Sequence, residues 1–162
     1  MKLRSKATGI LTIALLLSIL SVKASNEFSI TKNTNSQLDP AIYEDIVVWV
    51  DYRNDHSDIY GYSLSADREF RITTDSGHQS SPAIYRNTVV WVAENDIFGC
   101  NLSTLEKFSI VTDPNSQSEP AIYENIVVWS DERNGNKDIY GYNLLTQEEF
   151  QITANPHNQN SL

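Results

Sequence analysis

After position 24 the apolar residues fall into short alternating or β-branched blocks, and no window carries an apolar period of three to four over a helical length. The blocks recur almost verbatim. Pro120 to Thr153 reads PAIYENIVVWSDERNGNKDIYGYNLLTQEEFQIT, Pro40 to Thr73 reads PAIYEDIVVWVDYRNDHSDIYGYSLSADREFRIT, and Pro82 to Thr112 is a shorter version. Each unit predicts four strands. In the last one, Ala121 to Tyr123 follows a proline, which is tolerated at a strand start. Glu124 and Asn125 turn the chain into Ile126 to Trp129, a β-branched and aromatic run. Asp138 to Leu144 gives the third strand and Glu149 to Thr153 the fourth.

The second strand is apolar on both faces, with Ile46 and Val48 pointing one way and Val47 and Trp49 the other. Such a strand lies between layers on each side. Gly61, Gly99 and Gly141 recur inside the third strand, where a glycine lets a large ring or another backbone approach closely. Trp49, Trp91 and Trp129 are 42 and 38 residues apart, and Phe28, Phe70, Phe108 and Phe150 recur at 42, 38 and 42. Of the 16 aromatic residues only Tyr52 lies off the aligned columns, so the repeat itself is what the core is made of.

Four short antiparallel strands every forty or so residues, stacked on both faces, describe the blade of a β-propeller. The expected fold is all-β, with blades at 40–81, 82–119 and 120–153. Glu27 to Thr31 matches the end of each later unit, so 25–39 reads as an extra fourth-type strand and a linker. Residues 154–162 read as a linker stump, since Gln159 repeats the glutamine of Gln37-x-x-Pro40, Gln79-x-x-Pro82 and Gln117-x-x-Pro120. The sum is an incomplete or open propeller, expected to be a slice of a longer array or a truncated product. Unburied end blades need a partner, and two chains joined head to tail would give a ring of about six blades.

The Pro-Ala-Ile-Tyr, Asp-x-Arg-Asn, Asp-Ile-Tyr-Gly-Tyr-x-Leu and Glu-Phe-x-Ile-Thr phrases resemble the TolB-type propeller repeats of periplasmic and cell-surface proteins, abundant in archaeal surface proteins. The resemblance covers essentially all of Phe28 to Thr153. It implies a docking platform, a surface-layer module, or the scaffold of a polysaccharide lyase or peptidase.

The first 24 residues add a location. Lys2, Arg4 and Lys6 precede the apolar run Ile10 to Val22, and small residues flank Lys23 before Ser25. The run is too short to span a bilayer comfortably, and the pattern is that of a cleavable signal peptide at 1–24. The expectation is a secreted, periplasmic or cell-surface chain with no membrane span after cleavage. Without the four basic residues before Ala24, eight Lys and Arg face 21 Asp and Glu, a net charge of −13. Nucleic acid is therefore excluded as a partner, because phosphate binding needs clustered positive charge.

Candidate chemistry is sparse. The strongest polar signature is the loop between the second and third strands, Asp51 to Asp58 and Asp131 to Asp138. Asp51, Asp55, Asp58, Asp131, Asn134 and Asp138 supply oxygens of the kind calcium takes. The spacing does not match an EF-hand and an arginine stands in the middle. Turn chemistry is favoured, with Arg53 or Arg133 pairing an aspartate, and no resident cofactor is expected. The middle blade shortens this loop by four residues, to Val92 through Asp96, so no site can use all three loops alike. His56, His78 and His157 fall at unmatched positions and read as exposed loop residues without a second group to serve them. Cys100, the lone cysteine, reads as a buried replacement for Tyr62 and Tyr142. No catalytic residue is assigned, and the expected role is binding a protein or a cell-envelope glycan; the enzyme alternative is a lyase or hydrolase propeller lacking its catalytic blades.

Overall fold

A computed structural model describes residues 27–154. The signal segment, the stump from 155 and His157 lie outside the described residues. Twelve strands form three four-stranded antiparallel sheets, each a simple meander in chain order. Blade one holds β1 (Gln37–Tyr43), β2 (Ile46–Asp51), β3 (Asp58–Ser63) and β4 (Arg68–Arg71). Blade two holds β5 (Gln79–Tyr85), β6 (Thr88–Ala93), β7 (Asp96–Asn101) and β8 (Glu106–Val111). Blade three holds β9 (Gln117–Tyr123), β10 (Ile126–Asp131), β11 (Asp138–Asn143) and β12 (Glu148–Gln151).

The blades are wedges. Their first strands β1, β5 and β9 neighbour one another, while β4, β8 and β12 splay outward. Tyr43, Tyr85 and Tyr123 close the narrow side as a ladder of tilted rings, with centroids 4.8 and 5.0 Å apart, a geometry aromatic pairs prefer.

The two-faced second strand does what its pattern predicts. Val48 and Val50 of β2, with Ile59 and Ile72, bury against Val89, Trp91 and Cys100 of blade two. Val90, Ile97 and Ile110 repeat that face against Val127, Trp129 and Tyr140 of blade three. Each such fully buried aliphatic contributes about 1.5–3 kcal/mol. Cys100 is 1% exposed, and burial pushes its thiol above the usual range. Beyond the last described blade the face is open: Ile152 is 51% exposed and its counterpart Ile72 only 7%.

The recurring glycines meet rings. Gly61, Gly99 and Gly141 pair in register with Phe70, Phe108 and Phe150. A Cβ at Gly99 would stand 2.5 Å from the Phe108 ring, and one at Gly141 would stand 2.6 Å from Phe150. The phenylalanine of the fourth strand therefore lies across the bare backbone of the third.

Two expectations are corrected. The first strands begin at Gln37, Gln79 and Gln117, three residues before the prolines expected to open them. Asp39, Ser81 and Glu119 take φ of 50°, 52° and 56°, and each first strand shifts register there. The proline thus sits at a bulge, where its missing N–H leaves no gap in the ladder. Glu27 to Thr31 is not a strand. A fourth strand is held by the third strand of its own blade, and this segment has no such neighbour among the described residues. It lays Ile30 on Trp49, Tyr60 and Tyr62 instead, as Ile72 packs on blade two.

Candidate functional site

The loop 52–57 joins β2 to β3, and loop 132–137 does the same in blade three; each is closed by an aspartate pair, Asp51 with Asp58 and Asp131 with Asp138. Asp51 is fully buried. Its Oδ2 accepts from Trp49 Nε1 at 3.0 Å and from Arg53 Nη2 at 2.7 Å. Its Oδ1 accepts from the Arg53 backbone N–H and from Nε, both at 2.9 Å. Arg53 reaches on to Glu69 and lies 4.0 Å above the Tyr60 ring. Blade three repeats the arrangement: Asp131 accepts from Trp129 at 2.9 Å and from Arg133 Nη2 at 2.7 Å, and Arg133 lies 4.2 Å above Tyr140.

The electrostatics follow from that geometry. Burial pushes the Asp51 carboxyl up, but the Arg53 and Trp49 donors outweigh it and hold the group below its ordinary 3.8. Asp131 behaves the same way with Arg133 and Trp129. Hydrogen bonding to Arg53 holds Glu69 below its ordinary 4.5. These are paired, hydrogen-bonded buried charges, the form in which a protein interior tolerates them.

The six candidate oxygen ligands are not brought to one point. Asp51 and Asp131 give both oxygens to N–H donors. Asp58 accepts from Asn54 and Arg71 with His56 beside it at 3.4 Å, and Asn134 bonds Asp138 at 3.2 Å through its amide nitrogen. Asp55 is exposed. Among the described residues no group of three His, Cys, Asp or Glu side chains converges as a metal site.

Two histidines lie beside groups that their sequence positions do not reveal, though the buried His56 Nε2 makes no hydrogen bond. His56 is half-buried beside Asp58, and His78 Nδ1 accepts from the Ser57 backbone N–H at 3.2 Å, with Ser57 Oγ also 3.2 Å away. They do not form a relay. Ser57 is 2% exposed and donates its hydroxyl to the Gln79 carbonyl at 2.8 Å, and the two contacts use different histidines.

A second feature escaped the sequence. Blade two turns its shortened loop with Glu94 and Asn95 at φ of 54° and 70°, a two-residue hairpin with both central residues left-handed. Ala93 stands where Asp51 and Asp131 stand, and no arginine follows it. A cleft of about 360 Å³ opens there, over Trp91 and Phe98. The four-residue deletion is the signal in the sequence, and the sheet register shows that it empties an arginine's seat.

No family model matches the chain, and no curated protein matches it. Solved structures do. TolB from Acinetobacter baumannii superposes with a TM-score of 0.67 at 19% identity, over 77% of this chain and 34% of that one. The computationally designed Ika4 protein gives 0.58 at 17% identity, over 81% and 79%. The β-propeller domain of the Trilobed protease from Pyrococcus furiosus gives 0.60 at 14%, over 74% and 40%. The chain spans about a third of the length of the Acinetobacter TolB. At these identities the likeness is one of fold, and it agrees with the meanders, the wedge packing and the Gly–Phe pairs: the chain carries three consecutive blades of a β-propeller.

Proposed function

We propose that this protein acts by binding, as a secreted or cell-surface propeller-repeat platform of TolB type for a protein or a cell-envelope glycan, without catalysis of its own. The supporting observation is how its side chains divide. The buried carboxylates are tied to donors within their own blades, while Leu38, Ile42, Tyr123, Phe150 and Ile152 face solvent at 39–68% exposure. Exposed apolar rows of this kind serve contact surfaces. The periplasmic or envelope location rests on the signal-like N-terminus and on the TolB likeness; among the described residues no helix is long and apolar enough to cross a membrane.

The test is retention of envelope extract by the immobilised chain, with protease-treated and periodate-treated extracts run in parallel. Loss of retention after one treatment names the partner class, and absence of retention from untreated extract overturns the reading. Reproducible cleavage of a polysaccharide or peptide would instead support the propeller-enzyme alternative, which the Trilobed protease likeness keeps in view. Calcium is no part of the reading, so calorimetry of chelated protein with calcium is expected to give no binding heat.

The blade-three outer face carries Val128, Phe150 and Ile152 at the positions where Val48, Phe70 and Ile72 meet blade two. Two copies joined head to tail would set this face on Trp49 after displacing Ile30. Light scattering is expected to give twice the chain mass, and a stable monomer at micromolar concentration overturns the pairing.

A further inference from the structure

The blade-two cleft occupies the place of the arginine clamp. By ladder register Ala93 replaces Asp51, Phe98 replaces Tyr60 and Lys107 replaces Glu69, the three residues around Arg53 in blade one. All three line the cleft, together with Trp91 and Phe108. Its volume of about 360 Å³ falls within the ~300–1,000 Å³ of small-molecule sites.

Trp91 is 2% exposed, yet its indole N–H has no acceptor among the described residues, whereas Trp49 and Trp129 give theirs to Asp51 and Asp131. The space those carboxylates fill is here open cleft, so the Trp91 N–H faces solvent there, and an occupant that sealed the cleft without an acceptor would strand it at a cost of about 1–3 kcal/mol. The occupant must therefore bring an acceptor to Trp91 and an apolar face to Phe98, whose ring shares the Trp91 face of the sheet. It must also suit a rim that mixes donors and acceptors: Glu94, and Asp75 joined to Lys107 at 2.7 Å.

Three chemistries compete. A guanidinium from a partner would stack on Phe98 as Arg53 does on Tyr60, but it has only donors and leaves Trp91 unanswered. A carboxylate would answer Trp91 but face Asp75 and Glu94 in a chain of net charge −9. A sugar ring satisfies every group: a hydroxyl both accepts from Trp91 and donates to Glu94, and its C–H face covers the Phe98 ring.

We propose that the blade-two cleft binds a pyranose unit of a glycan, seated where blades one and three carry their own arginine. The proposal rests on the binding reading above and narrows its partner to a carbohydrate. The test is ¹H–¹⁵N NMR of the three indole N–H groups during titration with a panel of methyl pyranosides, then sodium acetate and arginine methyl ester. The expected result is a saturable shift of the Trp91 signal with at least one pyranoside at millimolar concentration, with Trp49 and Trp129 unmoved. Ala93→Asp, which returns the missing carboxylate, and Ala93→Leu, which fills the cleft, should each weaken that binding tenfold or more. The Trp49 and Trp129 signals report whether each variant is folded.

No Trp91 shift with any pyranoside, a shift common to all three indoles, a shift that survives in the folded variants, or a response to acetate or arginine ester alone overturns the proposal. Envelope glycan retained equally by wild type and Ala93→Leu would reject the cleft and keep the binding platform. Retention by neither would reject both.

Discussion

Blade two and blade three share a ladder, a tryptophan and a Gly–Phe pair, and differ in how the second strand returns to the third. Blade three uses loop 132–137 and inserts Arg133 between Asp131, Glu149 and the Tyr140 ring. Blade two uses Glu94 and Asn95 and inserts nothing. Both sheets nonetheless form with the same register, and Trp91 and Trp129 are equally buried, at 2% and 1%. The clamp is thus not what makes a blade. Blade folding resides in the two-faced second strand and the glycine under the phenylalanine, and the loop is a separate device that can be deleted to leave a cleft.

The largest effect should come from halving a clamp. Asp131→Ala removes the acceptor of Trp129 Nε1 and the buried partner of Arg133, which keeps only the partly exposed Glu149, while leaving the loop in place. An arginine stripped of its buried partner is worse placed than no arginine at all. We expect a loss of about 2–3 kcal/mol in chemical denaturation. The double change Asp131→Ala, Arg133→Ala, which imitates blade two, should recover part of it. If the double variant is the less stable of the two, the view of the clamp as dispensable fails.

Next in size is the feature the blades share. Gly99→Ala would force Phe108 off β7, at a cost of about 2 kcal/mol from overpacking. Gly141→Ala meets Phe150 on the open face, where the ring is 39% exposed and can swing away, so about 1 kcal/mol is expected. Thermal melts of the two variants give the order directly, and a reversed order would show that the open face is covered in solution.

Acid separates the blades without mutation. Asp51 and Asp131 are held below 3.8 in the fold, so they add stability that is complete above that value and disappears as the pH falls through the depressed folded values. Blade two has alanine at this place. Amide exchange in β2, β3, β10 and β11 should therefore accelerate below pH 3.8, after correction for intrinsic exchange, more than exchange in β6 and β7. Uniform acceleration would mean that the three blades open only together.

Much of this was legible in the residues because period-two alternation, a two-faced strand and a ring-bearing repeat are local signals. The blade count, the strand order and the packing role of Gly61, Gly99 and Gly141 could all be read from spacing. The start of each first strand could not: proline argues for a boundary, and only the positive φ of Asp39, Ser81 and Glu119 shows a bulge that lets the ladder run through it. The pairing of Arg53 with Asp51 follows from proximity, but the seat it occupies is built from Tyr60 and Glu69, which only the sheet register brings alongside. The empty seat in blade two was invisible for the same reason.

The smallest expected effect concerns one hydroxyl. Thr73 Oγ1 accepts from Ile59 N–H at 2.8 Å and donates to Gln79 Oε1 at 2.9 Å, tying the end of blade one to the buried glutamine that opens blade two. Thr153 accepts from Ile139 in the same way. Blade two has Val111 at this position, and Gln117, 1% exposed, keeps an Oε1 with no partner. Val111→Thr would supply the missing donor at the cost of one buried methyl. The hydrogen bond to an otherwise unsatisfied buried amide outweighs that methyl, so a gain of about 0.5–1 kcal/mol is expected. Thr73→Val, the reverse change, should lose about 1–2 kcal/mol because it strands Gln79 as Gln117 is stranded now. Opposite signs in the two melts would show that the middle blade carries a repairable defect at its junction with the third. Equal losses would show that Gln117 is satisfied by solvent, and that its burial is shallower in solution than 1% exposure implies.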